Sequence, residues 1–544
     1  MADNPYPDRL RWHRSPLEID LIDELRAATM SRRAFLRAAS VVGLGLPLAG
    51  AFAGPSLASA APIPRTAKRL ATLRIGVAAP TDRLDPLSLG SDGAVAILGQ
   101  SAEYLTWSND RLQLEPRLGT SWKPNADASQ WTFAVRKGVR FHNGKGLTAD
   151  DVVATFDRLT DPANSSTALS VFGGVLAKGN TTKVDSYTVS FELNVPYANF
   201  PYLVSSDNFN AVILPKNYAG DWEKTFVGTG PWIRQEYRAG LSVTYKRNAG
   251  YWDRARIPRF ETLVLSLLGD EGAAVQQLQA GQIDAIAKVG VAGAQLLAAD
   301  PAVVVQSIRT SSHRQIHLRN DGVFADKRVR QALALTLDRD STVAAMTAGR
   351  GDLGNDSPFA PVFAATDASV PQRRADLDRA RQLMKDAGVA DGFEVQLDLW
   401  PGLDVAALAG RVQSSAKQIG IVVRPNLTVD YYTKAWLDSA MGITDYRHRG
   451  VPNFFLWAPL RSDGAWNAAH YRSPMYDVLV AQYNAALDVA SQKTAARRVE
   501  ELLLDDTPIV IPYFANHNAA SKRSLVGLRI TGAGHVDAAS ATTG

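Results

Sequence analysis

Hydrophobic and polar positions alternate with two different periods along the chain, and the two are interleaved from end to end. Period-two alternation predicts strands over Thr72–Val77, Trp131–Val135, Lys183–Leu193, Val243–Arg247, Thr262–Ser266, Phe393–Leu399 and Ile421–Leu427. Spacings of three and four predict helices over Val152–Leu159, Glu271–Ala280, Asp326–Leu337, Asp376–Ala387, Val405–Gln418, Tyr476–Ala486 and Ala490–Leu504. Local punctuation supports these limits. Thr148-Ala-Asp-Asp151 has the form of a capping box and opens a helix that Asp161-Pro162 closes. Gly388 stands where a helix C-terminus needs a residue tolerant of left-handed backbone. Pro508–Tyr513 reads as a short buried strand, and Gly349–Pro358 as a polar, glycine-rich loop. Helices and strands mix throughout, so the fold class is α/β.

The first sixty residues follow other rules. Ser31-Arg-Arg-Ala-Phe-Leu-Arg37 pairs two arginines ahead of a bulky apolar pair and a further base, the pattern of a twin-arginine export signal. An apolar run from Ala38 to Ala53 follows, broken by Pro47, and Ala58-Ser-Ala60 has the form of a cleavage site. This predicts a signal peptide over 1–60, export through the twin-arginine machinery, and a mature chain that begins near Ala61. The run falls short of the roughly 20 apolar residues that a membrane span needs. The expected location is a periplasm, in solution and without a lipid anchor.

With 544 residues the chain is long enough for two or three domains. It has no cysteine, which excludes disulfides, thiolate metal sites, cysteine nucleophiles and a lipidated cysteine. The net charge of +5 is spread over interspersed acids and bases, unlike the clustered bases of a nucleic-acid surface. Neither a Gly-x-Ser-x-Gly elbow nor a His-Glu-x-x-His pair occurs. His313 and His317 share a face of a strand, but no third ligand stands nearby in sequence, so they read as core or surface residues. Gly228-Thr-Gly230 lacks the Lys-Ser/Thr of a phosphate loop and reads as a tight turn ahead of a strand. No enzyme, cofactor or metal site is expected.

Four blocks in order resemble the dipeptide/oligopeptide-binding family (family 5) of extracytoplasmic solute-binding proteins that serve ABC importers. The first runs from Leu118-Gly-Thr-Ser-Trp122 through Trp131–Gly144 to Leu147–Leu159. The second comprises Gly228–Trp232, Lys246–Trp252 and Leu278–Ala285. The third is Asp326–Leu333 with Leu337-Asp-Arg339, and the fourth Ala380–Gly388. The resemblance implies a two-lobed periplasmic-binding-protein clamshell, class II-like, with an extra domain inserted in the first lobe. Lobe I would take 70–305 plus 508–544, including the extra domain at about 115–225, and lobe II 306–507. The chain would cross between lobes near Ser307–Arg309 and Thr507–Pro512, a hinge suited to closure on a solute. A monomer is expected, with a peptide-like small molecule and the permease subunits of an ABC transporter as partners.

The resemblance also implies a site. Peptide-binding members pair an aspartate of the second lobe with the ligand ammonium, and Asp445, in Met441–Phe455, is the matching acid. Tyr446 follows it. Trp400, Trp457, Trp466 and Asn467 would line the cleft, and Arg350 would meet a ligand carboxylate. Two departures accompany the match: Gly442-Ile443 lacks the family's tryptophan, and Val451-Pro452 replaces its Asp-Pro. They extend the expected ligands from a short peptide to an opine, a polyamine-like cation or a sugar. An exported hydrolase is the alternative from another class.

Overall fold

The computed structural model describes residues 72–81 and 83–544. The export signal and the cleavage position lie outside the described residues.

A mixed twelve-stranded sheet runs through the molecule. Its order is Ile421–Leu427, Phe393–Leu399, Met441–Tyr446, Val303–Leu318, Tyr513–Lys522, Ala285–Ile286, Thr72–Ala78, Thr262–Leu268, Ser242–Arg247 and Trp232–Arg238. Gly351–Leu353 adds to Tyr513–Lys522, and Ile509–Val510 to Val303–Leu318. The two central strands are long and antiparallel, and their register slips between Ile308 and Ser312. Such a bulge bends a strand locally.

Apolar side chains segregate on either side of that bulge. Leu73, Ile75, Val77, Leu263, Leu265 and Ala519 belong to one core, and Val275, Leu278, Ile286, Leu297 and Val303 with Ala520 to a smaller one beside it. Ile316, Leu318, Leu397, Leu399, Val423, Met441 and Ile443 form another, joined by Val510 and Tyr513. Phe359, Phe455, Tyr476, Ile511 and Phe514 make a further cluster on that side. Two lobes therefore share one backbone ladder but bury separate cores, which is what permits motion between them.

The first lobe carries an inserted antiparallel sheet of Gly119–Pro124, Gln130–Val135, Thr188–Glu192 and Thr181–Asp185. Helix Ala149–Thr160 packs on it, and Phe156 and Phe133 meet Phe191 edge-on with ring centroids 5.1 and 5.4 Å apart. The capping box is present: Asp151 accepts from the Thr148 N–H at 2.9 Å. Gly388 follows helix Leu377–Asp386 with φ of 76°.

Three expectations need correction. Lys183–Leu193 is a hairpin and not one strand, because Asp185 accepts from the Tyr187 N–H at 2.7 Å and turns the chain. The strand expected within Pro508–Tyr513 is two residues long, and a ten-residue strand, Tyr513–Lys522, follows it. Its polar centre, Asn516-His-Asn518, hid it from pattern reading. Gly228 and Gly230 do not have positive φ. They are small because a Cβ on Gly228 would lie 1.9 Å from Ser101 O, and one on Gly230 2.8 Å from Gln100 O. Close backbone packing, not turn geometry, explains them.

Candidate ligand site between the lobes

Strands Phe393–Leu399 and Met441–Tyr446 run parallel, and both end toward the first lobe's side. Trp400 follows one and Arg447 the other. Clefts at the carboxyl ends of parallel strands are where α/β proteins usually bind ligands.

On the second lobe Asp445 sits opposite Arg314 in the ladder. The Tyr432 hydroxyl donates to its carboxylate. Arg314 bonds Asp404 at 2.5 and 2.8 Å. Burial works against the Arg314 charge, but Asp404 and Asp445 outweigh it and hold the guanidinium firmly protonated. Burial and the neighbouring Asp445 together keep the Tyr432 phenol protonated. Tyr431–Ala435 forms a π-helical turn, a feature frequent at functional sites. It presents Tyr432 against Trp436, and Trp436 meets Trp466 at 5.7 Å. Trp466 also meets Phe454 at 5.2 Å, and Trp400 packs against the same cluster. The buried Trp400 indole N–H has no acceptor among the described residues.

The structure thus links Asp445, through Tyr432 and Trp436, to one aromatic cluster with Trp400 and Trp466. Trp457 lies apart, under the Arg461 guanidinium at 3.9 Å, with its edge 3.4 Å from where a Cβ on Gly174 of the inserted region would stand. The other residues lie outside this cluster. Tyr446 is buried, stacked on His313 at 5.2 Å and edge-on to Phe455. Asn467 clips its own loop: its amide donates to Arg461 O and Tyr471 O, and its oxygen accepts from the Tyr471 N–H. Arg350 precedes the short strand Gly351–Leu353, and its carbonyl accepts from the Asn516 N–H. Its guanidinium has no ion pair among the described residues. His313 and His317 are both buried, and burial depresses each to about 4, so they are neutral core residues.

Sequence reading missed the segment that joins the lobes. Arg447-His-Arg449 leaves strand Met441–Tyr446 and reaches the first lobe. Arg447 donates to Gly90 O and pairs with Asp92 at 3.1 Å. Lys288 pairs with the same carboxylate at 2.5 Å. Burial disfavours the Asp92 charge, yet the two cations outweigh it and hold the carboxyl well below the usual range. His448 Nδ1 accepts from the Ser311 N–H at the bulge. Arg449 lies over the Phe454 ring at 4.7 Å and donates to Asp207 O at 3.3 Å. Further along, the Asn199 amide donates to Asn453 at 2.9 Å, Asn453 to Asn484 at 2.7 Å, and Gln492 to Asn199 at 3.2 Å, all buried. The arginines stood in plain sight, but their cross-lobe partners lie some 240 to 360 positions away.

A sequence profile for bacterial extracellular solute-binding proteins, family 5 (its middle region), matches residues 113–460. The chain belongs to that family. It is 30% identical to di/tripeptide-binding protein 2 of Pseudomonas aeruginosa over 339 residues, 57% of this chain and 62% of that relative. It is 27% identical to heme-binding protein A of Haemophilus influenzae over 438 residues, 74% and 78% of the two chains. Among solved structures, HbpA2 from Haemophilus parasuis superposes with a TM-score of 0.77 at 23% identity, over 87% of this chain and all of that one. The two-lobed α/β fold with its inserted domain is therefore the family's own. None of the described helices is long and apolar enough to cross a membrane, and no group of three or more metal-ligating side chains occurs among the described residues.

Proposed function

We propose that this family 5 protein captures a small solute between its lobes and hands it to the permease of an ABC importer. The observation that carries the reading is the cross-lobe geometry. Separate cores share two long strands with a bulge at Ile308–Ser312, and Arg447–Arg449 and Asn453 close the gap between them. A solute that touches both lobes would favour their approach by its differential affinity for the closed state. We place the lobe boundaries at the bulge and within Ala515–Asn518, since Phe514 packs with the second lobe and Ala519 with the first. Trp400, Trp466 and Asp445 form the second-lobe wall, with Trp457 at its flank.

Relatives named for di- and tripeptides and for heme show that membership alone leaves the ligand open. A short peptide or related amino-acid conjugate fits an aromatic wall beside charged groups at both lobes. The test is small-angle scattering and tryptophan fluorescence of the mature protein with a solute panel. Compaction together with a fluorescence change is expected on binding. Turnover of a solute would overturn the reading in favour of an exported hydrolase.

Export by the twin-arginine route to the periplasm belongs to the same proposal, motivated by Ser31–Arg37. Arg32→Lys with Arg33→Lys should leave precursor in the cytoplasm, and undiminished export of that double variant would refute the route.

A further inference from the structure

Asp207 is a first-lobe acid that the second lobe covers. Its carboxylate lies against Gly450, with Arg449, Val451 and Phe454 around the same spot, and only 8% of the residue is exposed. Arg449 and the Ser108 hydroxyl face the carboxylate, but the match is incomplete. The Arg449 guanidinium donates to the Asp207 main-chain carbonyl at 3.3 Å and lies over the Phe454 ring at 4.7 Å. Asp207 Oδ2 and Arg449 Nε are both buried and have no hydrogen-bond partner among the described residues. The two cavities beside the carboxylate have room for about one water each, so bulk solvent does not hydrate it while the lobes are together.

An acid in this setting resists ionisation, because burial removes hydration that an imperfect partner does not replace. Burial raises the Asp207 carboxyl to about 7 against the pull of Arg449, and lowers Arg449 to about 10 against the pull of Asp207. Desolvation thus outweighs attraction for both members. Asp92 behaves in the opposite way, since Arg447 and Lys288 hold its carboxylate charged. The histidines and tyrosines around Asp207 do not change charge in the neutral range. His448 and His535 are buried and neutral, depressed to about 3 and about 4. Burial keeps the Tyr197 and Tyr202 phenols protonated. Of the other charged groups nearby, Arg309 is paired with Asp352, Arg447 with Asp92, and Asp110 is exposed at the rim.

We propose that Asp207 makes closure of the lobes proton-linked: its carboxylate is hydrated and ionised when they are apart, and their approach draws a proton onto it from solvent. The device rests on the capture reading above and adds its regulation. A closed carboxyl holds its proton more tightly than an open one, so acid favours the closed state. That advantage falls as pH rises from the ordinary carboxylate value of 3.8 to about 7. Solute is then gripped more tightly in an acidic medium and released more readily in a neutral or alkaline one.

The test uses the mature protein, Asp207→Asn as a neutral counterpart of the protonated acid, and Asp207→Ala in case the amide does not fold. Small-angle scattering without solute should give the wild type a smaller radius of gyration at pH 5.5 than at pH 8.5, and neither variant should show this change. A wild-type radius that ignores pH, or variants that respond as the wild type does, overturns the proposal. Leucyl-leucine and trialanine then serve as calorimetric probes. A peptide that binds should do so about tenfold more tightly at pH 6 than at pH 8 in the wild type, and equally at both in Asp207→Asn. Titrations at pH 6.5 in phosphate and in Tris should show uptake of most of one proton by the wild type only, and equal uptake by the variant also overturns the proposal. If neither peptide binds, the scattering result decides alone. Turnover of either peptide would remove the capture reading and leave proton-linked closure to stand or fall on the scattering.

Discussion

A Cβ placed on Gly450 would lie 1.9 Å from Oδ2 of Asp207, across the junction between the two lobes. Gly450 does not have positive φ, so the requirement is for room alone. Gly450→Ala should push the carboxylate aside and hold the lobes apart. The expected result is a larger radius of gyration by small-angle scattering and at least a roughly tenfold loss of solute affinity, about 1.4 kcal/mol. An unchanged scattering profile would show that the contact yields without opening the cleft.

The buried amide chain Gln492–Asn199–Asn453–Asn484 ties the inserted region to the second lobe. Asn453→Ala leaves two amides without their partner, which costs about 1–3 kcal/mol. Urea denaturation should show a lower midpoint. A double-mutant cycle with Asn199→Ala should give a coupling of about 0.5–3 kcal/mol, as expected for groups in one network.

Glu500 lies buried on helix Val489–Asp506, with Oε1 unpartnered and Oε2 accepting from Ser357 Oγ at 3.2 Å. Burial raises its carboxyl to about 8, and the Ser357 hydrogen bond offsets only part of this. The folded state therefore binds this proton more tightly than the unfolded chain does. Stability from this group is highest in acid and falls as pH rises from about 4.5 to about 8. Glu500→Gln should gain on the order of 2 kcal/mol over the wild type at pH 9 and much less at pH 5. Urea titrations at the two values decide it, and an equal gain at both would point to packing.

Gly228→Ala drives a methyl group into the Ser101 carbonyl, and backbone on both sides resists. Overpacking of this kind costs about 1–3 kcal/mol. The melting temperature should fall, whereas Gly146→Ala, with open space around it, should leave it nearly unchanged. Equal effects would mean that the 228–230 segment relaxes freely.

Local order was legible in the chain itself. Alternation marked Thr72–Ala78, Phe393–Leu399 and Ile421–Leu427 within a residue, since half-buried strands must alternate. Capping chemistry marked the start of Ala149–Thr160 and the end of Leu377–Asp386, because the orphan groups at a helix end are satisfied by near neighbours. The ordered blocks named the family. Strand Tyr513–Lys522 escaped because it passes from one lobe's core to the other, so its faces change partners midway and no single period survives.

The site divides along the same line. Sequence by itself determined the α/β class and the family, both carried by residues close together in the chain, and it put forward Asp445 as a candidate acid. Only the tertiary structure decided which charges are already met. Asp445 and Asp207 look alike as aspartates, but one lies under a tyrosine hydroxyl beside Arg314, and the other is buried beside the Ser108 hydroxyl and the Arg449 guanidinium. That difference is made by Tyr432, Arg314, Ser108 and Gly450, brought together from distant parts of the chain. Electrostatic balance is a property of positions in space, and a sequence orders residues only along the backbone.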